Sequence, residues 1–121
     1  MSKIPHVKGF TDSKTIEERL YLAGKLMANN RDHVPVVVVG NGINAPIITK
    51  QKYICPVSVT GDGFRKDIRD HMEALDSTGA LFYFVDNALL PMNKTMGEIY
   101  DRYKSNDGFL YVIYSVENTF G

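Results

Sequence analysis

The side chains best suited to hold a metal or attack an electrophile are His6, His33, His71 and the single cysteine, Cys55. The histidines lie too far apart for a local ligand pair, and Cys55 has no second cysteine with which to build a zinc knuckle. As a nucleophile Cys55 would need a base and an electropositive setting, but it sits between Ile54 and Pro56 in a strand-like run and reads as a small packed side chain. The glycine pairs at Gly40-Gly42 and Gly61-Gly63 lack the rest of a dinucleotide fingerprint or phosphate loop, so they read as turns. Glu17 and Glu18 are helical neighbours that point apart. Thr95, in the Asn93-Lys94-Thr95 sequon, reads as a helix cap. No catalytic residue, metal or cofactor is therefore expected.

Two features keep a chemical reading. Gly121 is the last residue in the sequence, and a glycine can thread a narrow channel and expose its carbonyl to an amine or thiolate. The preceding "SVENTF" suits a flexible acyl donor. Lys50 and Lys52 flank a second strand that continues Tyr53, Ile54, Cys55, Pro56, the form of a sheet edge that accepts a peptide as an added strand. Edge lysines also discourage such pairing, so this stretch alone leaves both readings open.

The elements that would position these residues follow from periodicity. Residues 1–12 mix Pro5 and Gly9 with scattered apolar positions and read as an irregular arm or a short helical turn. Thr15 to Glu18 has capping-box form, and Ile16, Leu20, Ala23 and Met27 stripe one face of a helix from Ser13 to Ala28 that Asn29-Asn30 ends. "VPVVVVG", Val34 to Gly40, suits a central strand, and "QKYICPV" returns beside it as a hairpin. Phe64, Ile68, Met72 and Leu75 predict a second helix beginning after Thr60. "ALFYFV", Ala80 to Val85, is a third strand turned by Asp86-Asn87. Thr95 and Glu98 repeat the capping box before a short helix, and Phe109 to Tyr114 is the last strand. This order describes an α+β β-grasp roll like that of ubiquitin, with an additional N-terminal helical segment.

The chain of 121 residues suits a single domain. Residues 1–30 form the helical extension, 31–116 the roll and 117–121 a flexible tail. Basic and acidic residues number 14 each, so no net positive field exists to hold nucleic acid. With one cysteine and no secretory pattern at the amino terminus, a cytoplasmic, reducing setting is expected. The longest aliphatic run, Val36 to Val39, is far short of the roughly 20 residues that span a bilayer.

The stretches "DHVPVVVV", "KYICPVSVTGDGF" and "ALFYFVDNALLPMNKTMGEIYDRYKSNDGFLYVIYSVENTFG" closely resemble the autophagy ubiquitin-like modifiers, relatives of the GABA-receptor-associated protein and the microtubule-associated light chains. The resemblance spans Arg31 to Gly121. It implies a modifier rather than an enzyme. Activating and conjugating enzymes would carry Gly121 through thioesters to the amine of phosphatidylethanolamine on autophagosomal membranes, and a deconjugating cysteine protease would act at the same end. Two acyl chains anchor stably where one does not.

The resemblance also implies receptors carrying an aromatic-x-x-aliphatic motif, laid against the second strand, with microtubules as a further partner. The aromatic pocket would be lined by Leu26, Pro35, Val37, Ile54 and Phe109, with Lys50 and Lys52 at its mouth. Tyr53, Cys55, Pro56, Val59, Phe64 and Ile68 would form the aliphatic pocket. Leu22 stands where the family usually has an acidic residue, His33 where arginine is common, and Asp67 where an apolar residue borders the aliphatic pocket. These departures imply altered motif selectivity. The rival reading is a non-conjugated peptide-binding adaptor or trafficking scaffold; a small enzyme using Cys55 ranks below both.

Overall fold

The computed structural model describes residues 4–42, 44–73 and 80–116. Helix α1 (Ile16–Asn29) starts at a completed capping box, later than the expected Ser13. The Glu18 amide donates to Thr15 Oγ1 at 3.1 Å and the Thr15 amide to the Glu18 carboxylate at 2.8 Å, which satisfies donors the first turn leaves open. Asn30 caps the other end, its side-chain amide donating to the Leu26 carbonyl at 2.8 Å. Strand β1 (His33–Gly40) is buried without interruption from Val34 to Val38, as a strand covered on both faces must be. Strand β2 (Lys52–Pro56) returns antiparallel to it, Tyr53 opposite Val36.

Helix α2 (Gly61–Arg69), capped by Thr60, is shorter than the periodicity through Met72 and Leu75 implies. The loop before β2 takes the backbone groups that would prolong it. Thr49 donates to the His71 carbonyl from its amide and hydroxyl, and Glu73 donates to the Ile47 carbonyl. Met72 pairs with Ile48 as an isolated bridge, yet its side chain still reaches the core. Leu75 lies outside the described residues. Strand β3 (Phe82–Val85) and strand β4 (Ala88–Leu89) flank Asp86 and Asn87, whose φ of 47° and 67° make the two-residue turn that matches strand twist. The turn lies where Asp86-Asn87 predicts it, while β4, at two residues, carries no period in the sequence. Helix α3 (Met96–Tyr103) opens on the second capping box, and strand β5 (Leu110–Ser115) completes the fold.

The sheet order is β2-β1-β5-β3-β4, with β1 and β5 parallel and every other pairing antiparallel. This is the expected β-grasp roll. On one face α2 and α3 pack Phe64, Ile68, Met96 and Ile99 onto Val36, Val38, Leu110 and Val112. The opposite face carries a smaller cluster in which Val7, Phe10 and Ala23 cover Val37, Phe109 and Tyr111.

The arm takes the short helical turn, one of its two expected forms, wound by bonds from Thr11 to Val7 and from Lys14 to Phe10, and it buries Val7 and Phe10 completely enough to act as core. The expectation for α1 needs correction. In α1 the stripe Ile16, Leu20, Ala23, Met27 is not the buried face: only Ala23 is, together with Arg19, while the other three stay more than a third exposed. The cause is the contact α1 makes. A Cβ on Gly108 would come within 2.9 Å of the Ala23 Cβ, so the helix sits down on its small residue. Arg19 is drawn inward to Asp107, Nε to Oδ2 at 2.9 Å.

Candidate functional site

Strand β2 lies at one end of the sheet and pairs only with β1. Its outward backbone edge is therefore free among the described residues. Successive side chains of a strand alternate between faces. Lys52 and Ile54, opposite Val37 and Pro35, belong to the α1 side, whereas Tyr53 and Cys55, opposite Val36 and Val34, belong to the α2 side. The residues expected to form two pockets are thus sorted onto the two faces of one edge strand.

On the α1 side, Pro35, Val37 and Phe109 are buried, Leu26 and Ile54 half-buried, and Lys52 exposed. Phe10 stands among them. Its ring meets Phe109 edge-on, centroids 5.1 Å apart, and the Lys52 ammonium lies 4.8 Å from its centre. The deep part of this set is filled by the chain's own arm, which no reading of the second strand could show. The Val7-x-x-Phe10 spacing, two large apolar residues one turn apart in a polar arm, is the signal that could have found it. Leu22 packs against the same cluster, so the wall it forms is apolar. Lys50, expected beside Lys52, stands instead 4.9 Å from the Tyr53 ring centre on the other face.

On the α2 side, Tyr53, Cys55, Phe64 and Ile68 are all buried in the main core. Tyr53 meets Phe64 edge-on at 5.5 Å and His71 at 5.7 Å. These side chains form a floor, with half-buried Val59 and exposed Pro56 at the rim. Burial, helped by the Asp67 charge, pushes the Cys55 thiol up to about 11. A thiol held there is protonated at neutral pH and makes a poor nucleophile. Burial, then Tyr114 and Asp67, likewise raise Tyr53 to about 12.

Elsewhere, a cleft of about 290 Å³ beside α3 is lined by Lys94, Glu98, Arg102 and Tyr103, but Glu98 is committed to capping Thr95. Among the described residues no group of three His, Cys, Asp or Glu side chains could hold a metal, and no helix is long and apolar enough to cross a membrane. Gly121, the expected point of conjugation, lies outside the described residues.

Residues 18–121 match the family model described as autophagy protein Atg8, ubiquitin-like. Autophagy-related protein 8 of Dictyostelium discoideum is 38% identical over 117 residues, covering 96% of each chain. Autophagy-related protein 8h of Arabidopsis thaliana is 36% identical over 116 residues, 95% of this chain and 97% of that one. Among solved structures, Trypanosoma brucei ATG8 superposes with a TM-score of 0.75 at 30% identity, covering 96% of this chain and all of that one. Plasmodium falciparum Atg8, in complex with an Atg3 peptide from the same organism, gives a TM-score of 0.82 at 28% identity over 97% of this chain and 100% of its own. A two-sided edge strand on a β-grasp roll, matched over nearly its whole length by these proteins, places this chain in the Atg8 family of autophagy ubiquitin-like proteins.

Proposed function

We propose that this protein is a ubiquitin-like modifier joined through Gly121 to phosphatidylethanolamine on autophagosomal membranes. There it recruits receptors whose aromatic-x-x-aliphatic motifs add as a strand to β2, and it is itself handled by activating, conjugating and deconjugating enzymes rather than acting as one. The observation that carries the docking half is the sorting of side chains about β2. In an extended peptide, residues three apart point to opposite faces. An aromatic anchor would lie on the Lys52, Ile54 and Leu26 side while the aliphatic anchor lies on the Tyr53, Val59 and Pro56 side. Backbone bonds to the free edge set register, and burial of both anchors supplies affinity at roughly 25 cal/mol per Å².

The Plasmodium relative solved with an Atg3 peptide supports peptide docking as a use of this fold. Membership of the family supports the conjugation half. Neutral overall charge gives no reason to expect nucleic acid as a partner. One experiment separates conjugation from the adaptor reading. Gly121→Ala, expressed in cells, should lose the faster-migrating lipidated band and the membrane puncta while a motif peptide still binds. Persistence of band and puncta would leave a non-conjugated adaptor as the better account. In titration calorimetry Lys52→Glu should weaken an acid-flanked motif by about threefold, since rim charges contribute modestly.

A further inference from the structure

Helix α2 carries unlike charge on its two flanks. Phe64 and Ile68 point into the core, which fixes the helix rotation at 3.6 residues per turn. Arg65 and Arg69 fall on the flank toward β3, where their charges act on the Tyr83 hydroxyl against the dominant effect of its burial. Asp67 falls on the other flank, one turn before His71, whose ring rests on Tyr53 of β2. Asp67 is exposed, and among the described residues no lysine or arginine stands within ion-pairing distance of it. Its neighbours Arg65 and Lys66 are both engaged with Asp62, at 2.7 and 3.3 Å. Among the described residues the nearby cation on this face, Lys50, is stationed over the Tyr53 ring.

We propose that Asp67 sets a charge preference in the docked peptide, favouring a lysine or arginine on the same face as the aliphatic anchor. This rests on the reading of β2 as a docking edge. An exposed carboxylate without a partner, leaning toward the α2 side of that edge, offers a complementary site to a cation arriving on an added strand. Same-face residues of a strand are two apart. With the aromatic anchor numbered zero and the aliphatic anchor three, the positions that reach Asp67 are one and five. Position two faces α1 and does not. The two ends of the pairing surface thereby differ in sign: Lys52 beside the aromatic anchor favours acidic flanks, while Asp67 beside the aliphatic anchor rejects them.

The test is a set of synthetic peptides sharing one aromatic-x-x-aliphatic core with alanine elsewhere, titrated against the full chain at about 50 mM salt, where exposed charges are less screened. Lysine at position one or five should bind about three times tighter than glutamate there, in keeping with the modest worth of an exposed pair. At position two the same exchange should not favour lysine. Asp67→Asn should bring the ratio at positions one and five to about one, with the all-alanine peptide titrated against the same variant as the reference. If the all-alanine peptide fails to bind, the docking edge itself is wrong and the proposal falls with it. If it binds but the lysine-to-glutamate ratio is one, or survives in Asp67→Asn, the edge stands and the role of Asp67 is overturned.

Discussion

A single buried carboxylate ties the outer layer to the sheet. Asp107 Oδ2 accepts from Arg19 Nε at 2.9 Å and from the Tyr111 hydroxyl at 2.5 Å, and Oδ1 accepts from the Phe109 amide at 3.0 Å. Arg19 Nη1 in turn donates to the Lys14 carbonyl at 2.5 Å, so the arm, α1 and β5 meet at one charge. Burial, then the bond to Asp107, pushes Tyr111 far above the usual phenol range and keeps it a donor. Removing one member of a buried pair strands the other at a cost of about 3–5 kcal/mol, whereas replacing both is often tolerated. Asp107→Asn should therefore lower stability by that order in urea titration, and Arg19→Met with Asp107→Asn should recover part of the loss. A double variant no better than the single one would show that the hydrogen bonds from Tyr111 and Phe109, not the charge, hold the joint. The sequence could not announce this pair: Arg19 and Asp107 are 88 positions apart, and nothing local marks either as buried.

At the scale of elements, what could be read from the sequence was what is local. Both capping boxes, Thr15 with Glu18 and Thr95 with Glu98, were legible because donor and acceptor sit three residues apart. The end of α2 was not, because the bond Thr49 donates to the His71 carbonyl and the one the Ile47 carbonyl accepts from Glu73, both made by residues far back in the chain, decide it. The boxes have a consequence in acid. Glu18 lies below its usual 4.5, first through its bond to the Thr15 amide and then to the Thr15 hydroxyl; Glu98 lies below 4.5 through the Thr95 hydroxyl and then the Thr95 amide. A carboxyl whose folded value is depressed adds stability that is present above its unfolded value and disappears as pH falls through the folded one. The caps should thus weaken below about pH 4.5. Gln at both positions keeps an acceptor but does not titrate, so Glu18→Gln with Glu98→Gln should lose less of its urea midpoint between about pH 6 and about pH 3 than the parent chain does. Equal losses would assign the acid sensitivity to other carboxylates.

At the scale of the molecule the described residues form one sheet with two cores, and their inequality decides how it comes apart. The α+β roll was visible in the strand and helix order, since alternation and the 3.6 period are properties of segments. Which residues share a cluster was not, because Phe10, Ala23, Val37 and Phe109 come from four segments that only the finished topology brings together. The inner cluster joins α2, α3 and four strands, while the outer one depends on a short arm and a helix whose large apolar residues remain partly exposed. Local opening follows the elements with fewest buried apolar contacts. Phe10→Ala removes the arm's fully buried ring from the outer cluster, a change of about 3–5 kcal/mol where the cavity does not collapse. Amides of α1 should then exchange faster while those of α2 and α3 keep their protection, and the Lys52 and Phe109 side of the groove should open without loss of the sheet. Equal loss of protection in all three helices would mean instead that the two clusters melt as one unit, with the arm as much a part of the roll as any strand.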